Sequence, residues 1–142
     1  MKKLAIIPAR IGSKRIPKKN IKDFLGKPII AYSIETAINS NLFDEVMVST
    51  DSEEIAKIAK HYGAKVPFYR SEKTSNDYCG LLEVAEEVIK TYEKNNKSFD
   101  YFCMLLATAP FINIEIIDKT YNVLINNNYD SVFPIVKFSY FL

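Results

Sequence analysis

The feature that most constrains this chain is a regular alternation of short apolar runs with stretches of helical period. Leu4–Pro8, Glu45–Ser49, Lys65–Phe68, Tyr101–Leu106 and Ser131–Ile135 are short runs, mostly β-branched or aromatic. Most of them have the composition of strands buried on both faces. Pro28 suits a helix start, and Ile30, Ile34, Ala37 and Ile38 follow at helical spacing. Asp51 or Ser52 can cap a second helix, which carries Ile55, Ile58, Ala59 and Tyr62 and ends at Gly63. Leu81, Leu82, Ala85, Val88, Ile89 and Tyr92 mark a third. Asn113 can cap a fourth, with Ile117, Tyr121, Leu124 and Ile125 inward. This order predicts an α/β fold, a Rossmann-like three-layer sandwich around a mostly parallel sheet. With 48% hydrophobic and 25% charged residues in 142, one domain spanning 1–142 has enough apolar mass for its core.

Ligands of such sheets bind at the carboxyl ends of the strands. The segments Arg10–Asn20, Thr50-Asp51 and Ala107–Pro110 all leave strands at that end, so periodicity alone predicts that they share one rim. Met1-Lys2-Lys3 is followed by too few apolar residues for a signal peptide or a membrane span, and a cytoplasmic location is expected. Cys79 and Cys103 lack metal-ligand spacing and are expected to be buried free thiols. The final stretch Val132–Leu142 is apolar with Lys137 as its one charge, a pattern expected of a domain cut short of a covering element.

Charge is distributed unevenly. Of 19 basic residues, six (Arg10, Lys14, Arg15, Lys18, Lys19 and Lys22) fall within 10–22 with no acid among them, leaving 13 against 17 acidic residues elsewhere, a balance of −4. A basic island on an acidic body suits a local anionic ligand better than a nucleic-acid surface. Within the island, Gly12 allows close backbone approach, Ser13 offers a hydroxyl and an N–H, and the cations surround them. A triphosphate needs such donors and charges. The loop has neither the Walker A pattern nor the dinucleotide-binding glycine pattern. From the residues alone, phosphate binding, a merely solvated basic loop and a nucleic-acid contact remain open. His61 reads as a helix C-terminal residue favoured by the dipole rather than a general base. The nine Tyr and nine Phe form no row interleaved with basic residues and read as core.

The stretch Pro8-Ala9-Arg10-Ile11-Gly12-Ser13-Lys14-Arg15-Ile16-Pro17-Lys18-Lys19-Asn20, continued by Asp23-Phe24-Leu25-Gly26-Lys27-Pro28, resembles the opening of the CMP-acylneuraminate synthetase family. The likeness extends through Phe43–Asp51, Tyr62–Ala64, Arg70–Glu72 and Ala107–Phe111. The resemblance implies a nucleotide-diphospho-sugar transferase type of fold and a reaction in which CTP binds with Mg²⁺. The sugar's anomeric hydroxyl attacks the α-phosphorus and pyrophosphate leaves. It further implies that Arg10 and Lys19 act on the phosphates and stabilise the departing charge. Ala9, Gly12, Ser13 and Lys14 would shape the loop, Asn20 and Arg70 would read cytosine, and Cys79 would line the nucleotide site. The sugar would meet Ala107, Thr108, Phe138 and Tyr140. Ala107-Thr108-Ala109-Pro110-Phe111 and Phe138-Ser139-Tyr140 are similar to the pseudaminic acid cytidylyltransferase subgroup. Pseudaminic acid is therefore favoured, with N-acetylneuraminate and legionaminate as alternatives. No membrane or nucleic-acid partner is implied. The family forms homodimers, although its dimerisation arm is not visible in this sequence.

Two departures stand out. Asn76-Asp77-Tyr78-Cys79-Gly80-Leu81 replaces the subgroup's D-D-Y-T-G-T, so Leu81 stands where a hydroxyl is usual, a loss worth ~0.5–1.5 kcal/mol. The acidic metal ligands of the family have no counterpart here, and Asp51 and Asp77 read as a helix cap and a structural loop residue. Three functions follow as hypotheses. They are a cytidylyltransferase, a non-catalytic cytidine-nucleotide-binding module, and a nucleic-acid binder disfavoured by the acidic body.

Overall fold

The computed structural model describes residues 1–137. Its centre is strand β1 (Lys3–Pro8), whose Leu4, Ala5, Ile6 and Ile7 are fully buried. Strands β4 (Glu45–Ser49) and β5 (Tyr101–Met104) pair with it in parallel, in the order β4-β1-β5. Between β1 and β4 lie a hairpin of β2 (Asp23–Phe24) and β3 (Lys27–Pro28), then helix α1 (Ile29–Asn39). Helices α2 (Glu53–His61) and α3 (Leu81–Lys94) follow β4, and α4 (Ile114–Asn126) follows β5.

The side-chain alternation of β1 builds the three layers. Ala5, Ile7 and Ala9 pack with Ile30, Ile34 and Ala37 of α1, Ile55 and Ala59 of α2, and Ile117 of α4. Leu4 and Ile6 point the other way, onto Ala85, Val88 and Tyr92 of α3. The expected α/β three-layer sandwich with a parallel sheet is thus what the chain forms. Ser52 caps α2 by accepting a hydrogen bond from the Ile55 amide, and Asn113 caps α4 through Ile116. Gly63 follows α2 at φ +93°, a conformation that L side chains resist. His61 ends α2, as expected.

Several sequence expectations need correction. The run Lys65–Phe68 makes only one bridge, Met47 to Lys65, because Pro67 has no N–H with which to continue a ladder. Ser131–Ile135 forms no strand. Pro134 interrupts it, and Phe133 and Ile135 are exposed. The fourth run, Tyr101–Leu106, ends as a strand at Met104, although the Leu105 amide still donates to Ile6 O. Phe102 is 45% exposed because β5 is an edge among the described residues, so this strand is not buried on both faces. Cys79 and Cys103 are free but half-buried rather than buried, and burial pushes the Cys103 thiol up to about 11. The hairpin at 23–28 has no apolar alternation to announce it. Leu25 and Gly26 both adopt positive φ at its two-residue turn, the geometry of a type I′ connection.

At the opposite end of β4 from the rim, the Glu45 carboxylate is buried and accepts hydrogen bonds from Lys97, Tyr92 and Lys65. Burial alone would raise its pKa, but the three donors together bring it below the usual carboxylate value. A depressed folded-state pKa stabilises the fold above the unfolded value, and that stability is lost as pH falls through the folded one. Glu45→Gln should therefore cost roughly 1–3 kcal/mol near neutrality. It should also flatten the fall in melting temperature between about pH 6 and pH 3, as followed by circular dichroism. An acid limb identical to that of the wild-type chain would remove Glu45 from the account.

Candidate active site

Because β1, β4 and β5 run in parallel, their carboxyl ends open on one rim, where hydrogen bonds join two of the three expected segments, 10–20 and Thr50-Asp51. The Ala9 amide donates to Ser49 O (2.9 Å), locking the exit of β1 against the end of β4. Two residues on, the Ile11 amide donates to the Asp51 carboxylate (2.9 Å). Asp51 is thus a staple between loop and strand end, while the helix cap falls to Ser52. The loop then closes on itself. The side-chain amide of Asn20, itself buried, donates to Arg10 O at 2.9 Å. Lys18 takes the left-handed conformation just before the short 3₁₀ turn Lys19–Ile21, and its ammonium pairs with Glu54 (2.7 Å).

Arg10 is held on two sides. Its Nη1 donates to Gly12 O (2.9 Å) and contacts Asp77 Oδ1 at 2.8 Å. Lys14 contacts the other oxygen of the same carboxylate. Hydrogen bonds from Lys14 and then Arg10 hold the Asp77 carboxyl below its ordinary value. A Cβ built on Gly12 would lie 3.4 Å from Arg10 Nη1, an ordinary contact with the tip of a flexible side chain. The Ser13 hydroxyl is buried and has no partner among the described residues, and such an atom is costly unless a ligand or water satisfies it. Lys19 reaches solvent.

Arg70 forms the back of the rim. Its amide donates to Thr50 O (2.8 Å), Nε to Ser49 Oγ (3.1 Å) and Nη2 to Ser49 O (3.0 Å). Burial lowers its pKa, opposed by Asp51, Cys79 and Glu87. Ser49 O therefore receives both the Ala9 amide and Arg70, which joins β1, β4 and the 70–80 segment at one atom. Glu87, on α3, accepts from the Ser71 amide and hydroxyl and from Thr74 Oγ1, fixing the turn that carries Arg70. Cys79 is half-buried beside Glu83, and burial first, then Glu83, raises its thiol pKa. Leu81 is 46% exposed at the start of α3.

The structure thus gathers Ala9, Arg10, Gly12, Ser13, Lys14 and Asn20, with Arg70 fixed behind them. The proposed sugar-contacting residues divide. Ala107 is buried with its methyl in the core beside Ile7 and Ile117, whereas Thr108 is exposed. Phe138 and Tyr140 lie outside the described residues. Sequence reasoning did not assign Ser49 or Glu87, because the residues they organise lie far along the chain. It also took Asp77 for a structural loop residue, although the basic side chains it pairs with were themselves conspicuous. Two hollows of about 610 and 500 Å³ lie along α4 and between α1 and the start of α4. Neither is lined by residues of the loop, the β4 end or the 70–80 segment. The converging donors lie at the rim, away from both hollows.

Among the described residues, no three carboxylate, thiol or imidazole groups converge where a metal ion could sit. Asp51 and Asp77, the acids at the rim, are already engaged with the Ile11 amide and with Arg10 and Lys14. The described residues do not fit a Mg²⁺ ligand set.

A family profile described as cytidylyltransferase matches residues 4–139. The chain is 49% identical over 140 residues to a pseudaminic acid cytidylyltransferase of Campylobacter jejuni, covering 99% of this chain and 60% of that protein. It is 41% identical over 111 residues to a CMP-N,N'-diacetyllegionaminic acid synthase of Legionella pneumophila, covering 78% of this chain and 48% of that one. A solved CMP:2-keto-3-deoxy-manno-octonic acid synthetase complexed with CTP superposes with a TM-score of 0.75 at 26% identity, over 90% of this chain and 49% of that one. A cytidylyltransferase structure from Leptospira borgpetersenii gives 0.70 at 27% identity, over 89% of this chain and 50% of that one. The chain spans 60% or less of the length of these relatives. Profile, sequence and fold agree with the rim the residues build: the chain belongs to the cytidylyltransferase family.

Proposed function

We propose that this chain supplies the nucleotide site of an enzyme that transfers CMP from CTP to a nonulosonic acid, pseudaminic acid foremost, with release of pyrophosphate. One observation carries the proposal. Arg10, Lys14 and the unpartnered Ser13 hydroxyl sit together where β1 delivers its loop to the rim. These groups suit the β- and γ-phosphates, and positive charge there stabilises pyrophosphate as it leaves. Lys19, exposed on the same loop, adds charge on the solvent side. Arg70 and Asn20 are the groups assigned to cytosine, and Cys79 lies on the segment that follows Arg70. The choice of pseudaminic acid rests on the 49% identity to the Campylobacter protein and on the 107–111 segment. Thr108, Phe138, Tyr140 and the backbone at Ala107 belong to the sugar side of this reading. Mg²⁺ dependence, a homodimer and a cytoplasmic location belong to the same proposal. Among the described residues, no helix is long and apolar enough to cross a membrane.

The second reading, a module that holds a cytidine nucleotide without turnover, is favoured by Leu81, which offers no hydroxyl to a nucleotide. Incubation with CTP, Mg²⁺ and pseudaminic acid separates the two. Pyrophosphate release supports the enzyme, whereas a CTP-dependent rise in melting temperature without pyrophosphate supports the module. Asn20→Ala removes both the amide that holds Arg10 O and the proposed base contact. It should weaken CTP binding by about 1 kcal/mol and narrow the preference for CTP over UTP. An unaltered preference in competition binding would leave base reading to Arg70.

A further inference from the structure

Asp77 has no part in the nucleotide contacts assigned so far, yet its carboxylate contacts two cations of the loop. Its two oxygens divide between two cations, Oδ1 on Arg10 and Oδ2 on Lys14. Arg10 Nη1 donates to Gly12 O and forms an ion pair with Asp77 Oδ1. A phosphate oxygen arriving at Nη1 competes with the Asp77 carboxylate, which sits 2.8 Å from it. The carboxylate is also held in place from behind. The Asn76 side chain accepts hydrogen bonds from the amides of Tyr78 (2.8 Å) and Cys79 (3.0 Å), which fixes the turn on either side of Asp77. Asp77 itself is partly open to solvent, so it can leave the cations without breaking the core. Its charge opposes that of any polyphosphate arriving at the loop, at a separation where like charges matter even when partly screened.

We propose that Asp77 is a displaceable counter-ion of the phosphate loop, which weakens the grip on polyphosphate and so speeds release of pyrophosphate. This rests on the nucleotidyl-transfer reading above. The effect grows with the number of phosphates that contact Arg10 and Lys14. CTP and pyrophosphate feel it strongly, whereas CMP, with one phosphate, feels it least. Each partly exposed ion pair is weak, so the gain on removing both is modest.

The test is calorimetric titration of the wild-type chain, Asp77→Asn and Asp77→Glu with CTP, pyrophosphate and CMP, each with and without Mg²⁺. Asp77→Asn should bind CTP and pyrophosphate roughly threefold to tenfold more tightly while CMP changes by less than about twofold. Asp77→Glu, which keeps the charge, should stay near wild type. Weaker or unchanged polyphosphate binding by Asp77→Asn overturns the proposal, and a loss confined to Mg²⁺-containing samples would make Asp77 a metal ligand instead. An equal gain for CMP also overturns it, since the effect would then not follow phosphate number. If the wild-type chain binds neither CTP nor pyrophosphate, the nucleotide reading itself fails.

Discussion

Arg10→Ala should weaken CTP binding by about 1.5–3 kcal/mol, the range for a hydrogen bond to a charged group. That is roughly a 10- to 150-fold rise in Kd. Stability should hardly change, since Arg10 is only partly buried and its partners, Gly12 O and Asp77, lie at the surface. Arg10→Lys keeps the charge but not the fork geometry, and so should fall between the wild-type chain and Arg10→Ala. The sign matters as much as the size. Arg10→Ala and Asp77→Asn break the same contact yet are expected to move CTP affinity in opposite directions. A purely structural role for that ion pair would move both the same way. Titration of the two variants side by side, with melting curves as control, decides the matter.

The second large effect is expected at Arg70. Arg70→Ala removes hydrogen bonds to Ser49 Oγ and Ser49 O, and opens a cavity between the β4 end and α3's supporting turn. About 2–4 kcal/mol of stability should be lost. Arg70→Met keeps much of the stem volume and relieves the cost of burying a cation, so it should lose far less. Both variants should nevertheless lose discrimination between CTP and UTP, because neither retains a guanidinium to read the base. Chemical denaturation gives the first quantity and competition binding the second. A Met variant that keeps full discrimination would remove Arg70 from base recognition and leave it a structural group.

Much of the fold was legible because burial imposes simple periods. Leu4 through Ile7 are apolar without a break since both faces of β1 are covered, and α1 to α4 each declare an inner stripe. What periodicity could not see was whether a run meets a neighbour. Lys65–Phe68 and Ser131–Ile135 have strand-like composition, but Pro67 and Pro134 lack the N–H that a ladder needs. The short hairpin at 23–28 depends on two positive φ angles at Leu25 and Gly26, and leucine gives no sign of that choice. At the site, the basic loop announced itself through composition and family likeness. Its organisation did not, because Ser49, Asp51, Asp77 and Glu87 act on residues that are remote in sequence. Asp51 illustrates the difficulty well. A carboxylate just before a helix is ordinarily a cap, and only the folded loop shows that it accepts the Ile11 amide instead.

CTP is expected to be held at the rim where the loop at 10–20 leaves β1. Adding CTP to the isotope-labelled chain and following backbone amide resonances shows where it binds. The expected result is that shifts concentrate at 9–20, at Ser49 to Asp51, and at 70–80, and that Arg10→Ala abolishes most of them at the same CTP concentration. Shifts centred instead on Ile114, Asp118, Asn122 and Asn126, which line the hollow along α4, would contradict the account, as would no shifts at saturating nucleotide.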